Sequence, residues 1–169
     1  TNNMGFGKSC NKGMELSNSD AVILINNDVV LTKPVVQEFE RLFNFDKDIS
    51  IIGCLLYYPN GYIQHGGHKL QNELFHFTHY DYMVHPSRAK VAYFSRYMIS
   101  VTGALMAIRK DFFNSFGGFG EGYKNCFEDS ELCLRAWHNN KRVYYTSVIS
   151  AEHREGFTRG VTTEHKKAR

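Results

Sequence analysis

Short, almost wholly apolar runs separated by amphipathic stretches constrain this chain more than any other feature. Ala21–Ile25 (AVILI), 49–58 (ISIIGCLLYY), 100–109 (SVTGALMAIR) and 142–150 (RVYYTSVIS) each have the length and composition of a strand. AVILI has no polar alternation, which predicts a strand buried on both faces of a parallel sheet. In TKPVVQEFERLFNF, Val35, Phe39 and Leu42 repeat at helical spacing, with Thr32 as the expected cap and Pro34 in the first turn. EDSELCLRAWHNN has an acidic first turn and the i,i+4 pairs Leu132/Ala136 and Cys133/Trp137, the indole N–H expected to be paired. KDFFNSFGG predicts a short helix capped by Asp111 and stopped by Gly117-Gly118, and 8–17 a further helix. The His- and Tyr-rich residues 70–97 have weak periodicity and predict a long loop. Strands alternating with helices imply an α/β layered fold, read as one domain over 1–169.

The first strand delivers a polar triplet, Asn26-Asn27-Asp28, before Val29 to Leu31 resume the apolar pattern. Burying two amides and a carboxylate unpaired is costly. The triplet is therefore either a turn or a strand-end site where something is bound. In open α/β sheets, ligands collect outside the carboxyl ends of strands. His153, after the last strand, and Glu128-Asp129, opening a helix, are further candidates. A hard divalent ion such as Mg²⁺ or Mn²⁺ would accept oxygen from Asp28 and from Asn26, and imidazole nitrogen from His153. Each feature also has a plain structural reading, as turn, helix cap or solvated histidine.

Composition narrows the classes. At 169 residues the chain supports one core and hardly two. A net charge of +3 is too mild to point to nucleic acid. No apolar run reaches the roughly 18–20 residues of a membrane span. Cys10, Cys54, Cys126 and Cys133 lack C-x-x-C spacing, which predicts reduced thiols and no zinc site.

Six blocks taken together, in order, carry a resemblance: GFGKSCNKGMELSNSDAVILINNDVVLTKP, GYIQHGG, VTGALMAIRKDFF, GGFGEGY, EDSELCLRAWHNNKRVYY and SVISAEHREGFTRG. Over nearly its whole length the chain resembles family-2 glycosyltransferases of the GT-A fold, a mixed sheet flanked by helices. It is most similar to bacterial members that build cell-surface polysaccharides, including rhamnosyl- and galactofuranosyl-type enzymes. The first strands and helices of a complete domain, which hold the nucleoside, have no counterpart here, so the resemblance implies the carboxyl-terminal portion of that fold.

The resemblance implies roles residue by residue. Asn26-Asn27-Asp28 matches the family's D-x-D-like motif, with Asp28 helping to bind a divalent metal on the donor diphosphate and Asn26 replacing an acid. FEDSELCLR matches its E-D block, which makes Asp129 the general base and Glu128 its neighbour; two adjacent acids also suit a raised pKa. His153 matches a histidine that closes the metal site. Lys8 and Asn11 fall where members approach the donor phosphates. Gly103 of VTGA lies in the floor beneath donor and acceptor, and Glu121 and Arg135 fall on the acceptor side. Gly120 stands where an Asp is common. His65, Gly66 and Gly67 match a Q-H-x-G block expected to be architectural, and 75–85 is expected to offer acceptor contacts. The implied partners are a nucleotide-diphospho-sugar donor and a glycan or lipid-linked acceptor, at the cytoplasmic face of the membrane, with peripheral membrane association and association through an exposed sheet edge. A metal supplies Lewis acidity and a carboxylate takes the acceptor's proton, which suits a single inverting displacement. A non-catalytic or partner-dependent module, and more remotely a metal-dependent hydrolase, remain the other readings.

Overall fold

A computed structural model describes residues 4–71, 76–120, 122–123 and 127–155. The elements run α1 (Phe6–Leu16), β1 (Ala21–Ile25), β2 (Val29–Leu31), α2 (Val36–Phe45), β3 (Ile49–Tyr57), β4 (Ile63–His65), β5 (His68–Gln71), β6 (His76–His79), a 3-10 turn (Pro86–Arg88), β7 (Arg96–Tyr97), β8 (Leu105–Arg109), α3 (Lys110–Ser115), α4 (Glu128–His138) and β9 (Arg142–His153). The main sheet has the order β1-β8-β3-β9-β2, with β4 on β3 and β7 on β9. Among the described strands of this sheet, only β3 and β9 pair in parallel; β1, β2, β4, β7 and β8 pair antiparallel. The mixed sheet that the resemblance implies is present.

Helices cover both faces. On one side α1, α3 and α4 bring Met14, Phe112, Phe113, Leu132 and Ala136 onto Ile51, Leu55, Met106 and Tyr145. On the other, Val35, Phe39, Leu42 and Phe43 of the α2 region cover Ile49, Ile52, Leu56, Leu105 and Ile149. The central strand β3 is buried along its length except at Tyr57, because it has neighbours on both edges and helices on both faces. Burial of this apolar area, at about 25 cal/mol per Å², is what holds the layers together.

Five local expectations are corrected. β1 is an edge strand, hydrogen-bonded to β8 alone among the described strands and only partly buried. An apolar run does not encode which side of a sheet it takes. Thr32 does not cap α2: its hydroxyl donates to Ser150 O at 2.8 Å, fastening the end of β2 to β9, and the helix begins after Val35. Asp111 lies inside the first turn of α3, whose N-cap is Arg109, whereas Gly117 and Gly118 end it with φ of 84° and 68° as expected. Residues 70–97 are no simple loop, since β5 and β6 form a hairpin in register from His68↔His79 to Gln71↔His76. Finally, regular strand begins at Leu105, not at Ser100.

Candidate active site

β1 ends at Ile25, and the next residue, Asn26, donates its N–H to Ala104 O at 2.9 Å, so the polar triplet arrives against the residues that lead into β8. Asn26 O then accepts from Val29 N–H at 3.1 Å, closing a turn. The triplet is thus both a turn and a strand end. β2 returns antiparallel to β9 with Val29 opposite His153, and Asp28 O accepts from Arg154 N–H at 2.9 Å. This register places the Asp28 carboxylate beside an imidazole 125 residues away.

The pair has a definite protonation logic. Gln64 Nε2 donates to the Glu155 carboxylate at 3.1 Å, which turns the Gln64 carbonyl toward His153. That oxygen, 2.9 Å from His153 Nδ1, can only accept, so His153 carries a proton on Nδ1. In neutral His153 the Nε2 lone pair therefore faces Asp28 Oδ1 across 3.1 Å. Two lone pairs at that distance need a cation between them, either a proton on the imidazole or a metal ion. The spacing matches two cis ligands at the roughly 2.0–2.2 Å bonds of a Mg²⁺-sized ion, so the donor set fits the implied metal. Both side chains are almost buried, at 11% and 12% exposed.

Asp129 opens α4. Its Oδ2 accepts from Gly103 N–H at 2.8 Å and its Oδ1 from Ser130 N–H at 2.7 Å. A Cβ on Gly103 would sit 2.9 Å from the Phe6 ring and 3.4 Å from Asp129 Cβ, so only glycine lets the amide come this close. Glu128 is buried toward α1, where its charge adds to burial in pushing the Cys10 thiol up to about 11. The residue before it, Phe127, has φ 74°, a left-handed conformation disfavoured for a bulky side chain.

The two halves of the site are joined by one chain of contacts. Glu155 also accepts from Tyr58 Oη at 2.8 Å, and the Tyr58 hydroxyl oxygen lies 3.1 Å from Tyr82 Oη. Tyr82 stacks on His79, with ring centroids 5.7 Å apart. His79 meets His65 at 2.6 Å between Nδ1 atoms, and His65 Nε2 accepts from Thr102 N–H at 3.3 Å, next to the amide that holds Asp129. His68 joins through Ser100 Oγ at 2.9 Å, which reaches Ser130 of α4 at 3.1 Å. Candidate metal-binding nitrogens of His65, His68 and His79 lie within 4.8 Å of one another. Burial lowers all three: His68 and His79 are pushed down to about 4 and His65 well below its usual range.

The sequence model of the family described as "Glycosyltransferase like family 2" matches residues 1–168. The chain belongs to this family. Among curated relatives, this glycosyltransferase domain is 27% identical over 153 residues to the O-antigen biosynthesis protein RfbC of Myxococcus xanthus, covering 85% of this chain and 12% of that protein. It is 29% identical over 167 residues to the uncharacterized protein y4gI of Sinorhizobium fredii (strain NBRC 101917 / NGR234), covering 94% of this chain and 18% of that one. The chain therefore spans less than a fifth of the length of either relative. Its fold matches a crystal structure of GalNAc-T7 with UDP, GalNAc and Mn²⁺ at a TM-score of 0.69 and 13% identity, over 89% of this chain and 30% of that one. The GT-A fold expected for the domain is borne out.

Other residues singled out in the sequence of this family-2 domain have varied placements. Asn11 clamps Phe119, donating to its carbonyl at 3.0 Å and accepting from its N–H at 2.9 Å, so both amide heteroatoms have a structural partner. Arg135 is likewise engaged, by Glu131 one turn back and by the carbonyls of Phe116 and Gly118. Lys8 is exposed on α1, Asn27 is exposed in the turn, and Asn26 is half-buried beside it. Glu121 and Cys126 lie outside the described residues; Cys54 and Cys133 are buried free thiols. Trp137 is 37% exposed and donates to Met98 O at 2.9 Å, so its N–H is paired at the rim of the core. Gln64, His79, Tyr58, Tyr82 and Glu155 were not predicted as site residues one by one. The signal that pointed nearest was the run of histidines and tyrosines between 58 and 85. Among the described residues no helix is long and apolar enough to cross a membrane.

Proposed function

We propose that this domain transfers a sugar from a nucleotide-diphospho-sugar to a saccharide acceptor, with inversion at the anomeric centre. The observation that supports this most is the Asp28–His153 pair, whose facing lone pairs call for a cation. Asp28 and His153 would hold a Mg²⁺ or Mn²⁺ ion, with Asn26 and Asn27 beside it. Such an ion, when bound, stabilises the charge of a diphosphate leaving group as a Lewis acid. Asp129 is the general base. Its two oxygens are fixed by the Gly103 and Ser130 amides, and each keeps a lone pair for the acceptor hydroxyl's proton. Glu128, buried toward α1, is the neighbour of Asp129 at the start of α4. The likeness to a protein crystallised with UDP and Mn²⁺ favours a nucleotide-diphosphate donor and a divalent metal. The O-antigen relative favours a surface-polysaccharide acceptor carried on lipid, used at the cytoplasmic face of the membrane by peripheral association. The edge of β1 is a surface through which the domain would pair with further structure.

Calorimetry tests this reading. UDP or dTDP is expected to bind only with Mn²⁺ present, and Asp28→Ala is expected to abolish that dependence. Nucleotide affinity that ignores Mn²⁺, or that survives Asp28→Ala unchanged, would refute the assignment.

A further inference from the structure

The hydrogen bonds around His65 fix its tautomer as well as its position. The Thr102 N–H can only donate, so His65 Nε2 presents a lone pair to it at 3.3 Å. Burial, then the neighbouring imidazoles and the Arg96 guanidinium, keep His65 neutral, which leaves its single proton on Nδ1. That proton faces Nδ1 of His79 at 2.6 Å. His79, neutral for the same reason of burial, accepts on Nδ1 and carries its own proton on Nε2. The backbone amide of Thr102, the second residue of the VTGA segment, thereby makes His79 an obligate Nε2–H donor.

This arrangement argues against a metal among His65, His68 and His79, close as their nitrogens are. A metal bound at His65 Nδ1 would need the lone pair there and a proton on Nε2, directed at the Thr102 N–H. The hydrogen-bonded tautomers satisfy the same 2.6 Å contact without that clash.

His79 borders open space. Lys69, Gln71, Tyr82 and His79 line a cavity of about 730 Å³ beside the β5–β6 hairpin. Lys69 and Gln71 are exposed, and the Tyr82 ring, stacked on His79, is 52% exposed. An aromatic surface edged by hydrogen-bonding groups matches a pyranose, which has an apolar C–H face and a rim of hydroxyls. His79 is linked to the base through His65, which meets it at 2.6 Å and accepts from Thr102 N–H at 3.3 Å, next to the amide that holds Asp129.

We propose that this groove is a saccharide subsite in which His79 Nε2–H donates to a sugar hydroxyl and Tyr82 backs the sugar ring. It rests on the glycosyltransferase reading for its role in transfer, but binding there is measurable without transfer.

The test uses the full chain labelled with ¹⁵N-histidine. Long-range ¹H–¹⁵N correlation is expected to find His65 protonated on Nδ1 and His79 on Nε2; the opposite tautomers overturn the proposal. Methyl glucoside, galactoside, mannoside and N-acetylglucosaminide are then added singly, and UDP with Mn²⁺ separately. At least one glycoside is expected to shift His79 Nε2 and the Tyr82 ring, while UDP with Mn²⁺ leaves both in place. A shift from UDP-glucose alone, absent with UDP, supports the same contact to the donor's sugar. No movement of His79 with any sugar overturns the proposal. His79→Ala is expected to weaken glycoside binding about 3- to 10-fold, the worth of one hydrogen bond, with His79→Gln recovering part of it and UDP–Mn²⁺ affinity unchanged. A Co²⁺ visible spectrum lost in His65→Gln but kept in Asp28→Ala would instead assign the cluster to a metal and overturn the proposal. Glycoside binding without UDP–Mn²⁺ binding refutes the transferase reading and spares the subsite; the reverse pattern refutes the subsite alone.

Discussion

Acidification should destabilise this protein in a window set by its buried histidines. His68 is 6% exposed, and burial pushes it from the usual 6.5 down to about 4. Above pH 6.5 the imidazole is neutral in folded and unfolded chains alike, and its contribution to stability is fully present. Below 6.5 the unfolded chain takes up a proton that the folded one refuses until pH nears 4. Unfolding therefore gains about 1.4 kcal/mol per pH unit over about 2.5 units, or roughly 3 kcal/mol from His68 by pH 4. His79, also held down to about 4 by burial and then by His68, adds to the loss in the same window. Such a sum is a large fraction of a typical domain stability. The assay is urea unfolding at pH 7.5, 6.5, 5.5 and 4.5, wild type against His68→Asn, whose amide can still meet Ser100. Wild type should lose its advantage steadily between pH 6.5 and 4.5. Carboxylates held low in the fold, such as Glu38 beside Arg41, lose their contribution in a more acidic window. A difference between the two proteins that stays constant with pH would refute the reasoning, because a neutral buried imidazole must show this slope.

Other outcomes follow from single contacts. Asp129→Asn keeps the Gly103 hydrogen bond but cannot take a proton, so initial transfer rates should fall about 10²–10⁴-fold with little change in melting temperature. Gly103→Ala puts a methyl 2.9 Å from the Phe6 ring and shifts the amide that orients Asp129; rates should fall at least about 10-fold, the value of a hydrogen bond to a charged group. Gly53→Ala would place its Cβ 2.5 Å from Val101 Cβ between stiff neighbours, so chemical denaturation should show a loss of about 1–3 kcal/mol. Gln64→Leu removes the acceptor that holds the His153 proton on Nδ1. Calorimetry should then show Mn²⁺-dependent nucleotide binding weakened about 10- to 100-fold, as for other groups that orient a ligand histidine.

Much of the layout was legible because burial leaves a local trace. The repeat of Val35, Phe39 and Leu42 marked α2, and the acidic turn before Leu132 marked α4, since a helix facing a core must be apolar on one side. The glycine pair after α3 announced its end. The candidate acids and His153 could be named because few residue types perform metal or proton chemistry. What misled was of the same kind. AVILI looked doubly buried because apolar composition records no strand neighbours, and Thr32 looked like a cap because its partner, Ser150, is 118 residues away. The β5–β6 hairpin was missed because His, Lys and Thr on short strands leave no clear period.

The sequence by itself determined the main helices and core strands, their order, and which side chains could act as base or ligand. The tertiary structure decided which of them meet. Pairing of Val29 with His153 sets Asp28 against its imidazole, and the turn at Gly103 offers an amide to Asp129. Gln64 and Thr102 decide where His153 and His65 hold their protons. Such contacts depend on strand register and on donors far away along the chain, whereas local periodicity reports only which face of each element avoids water.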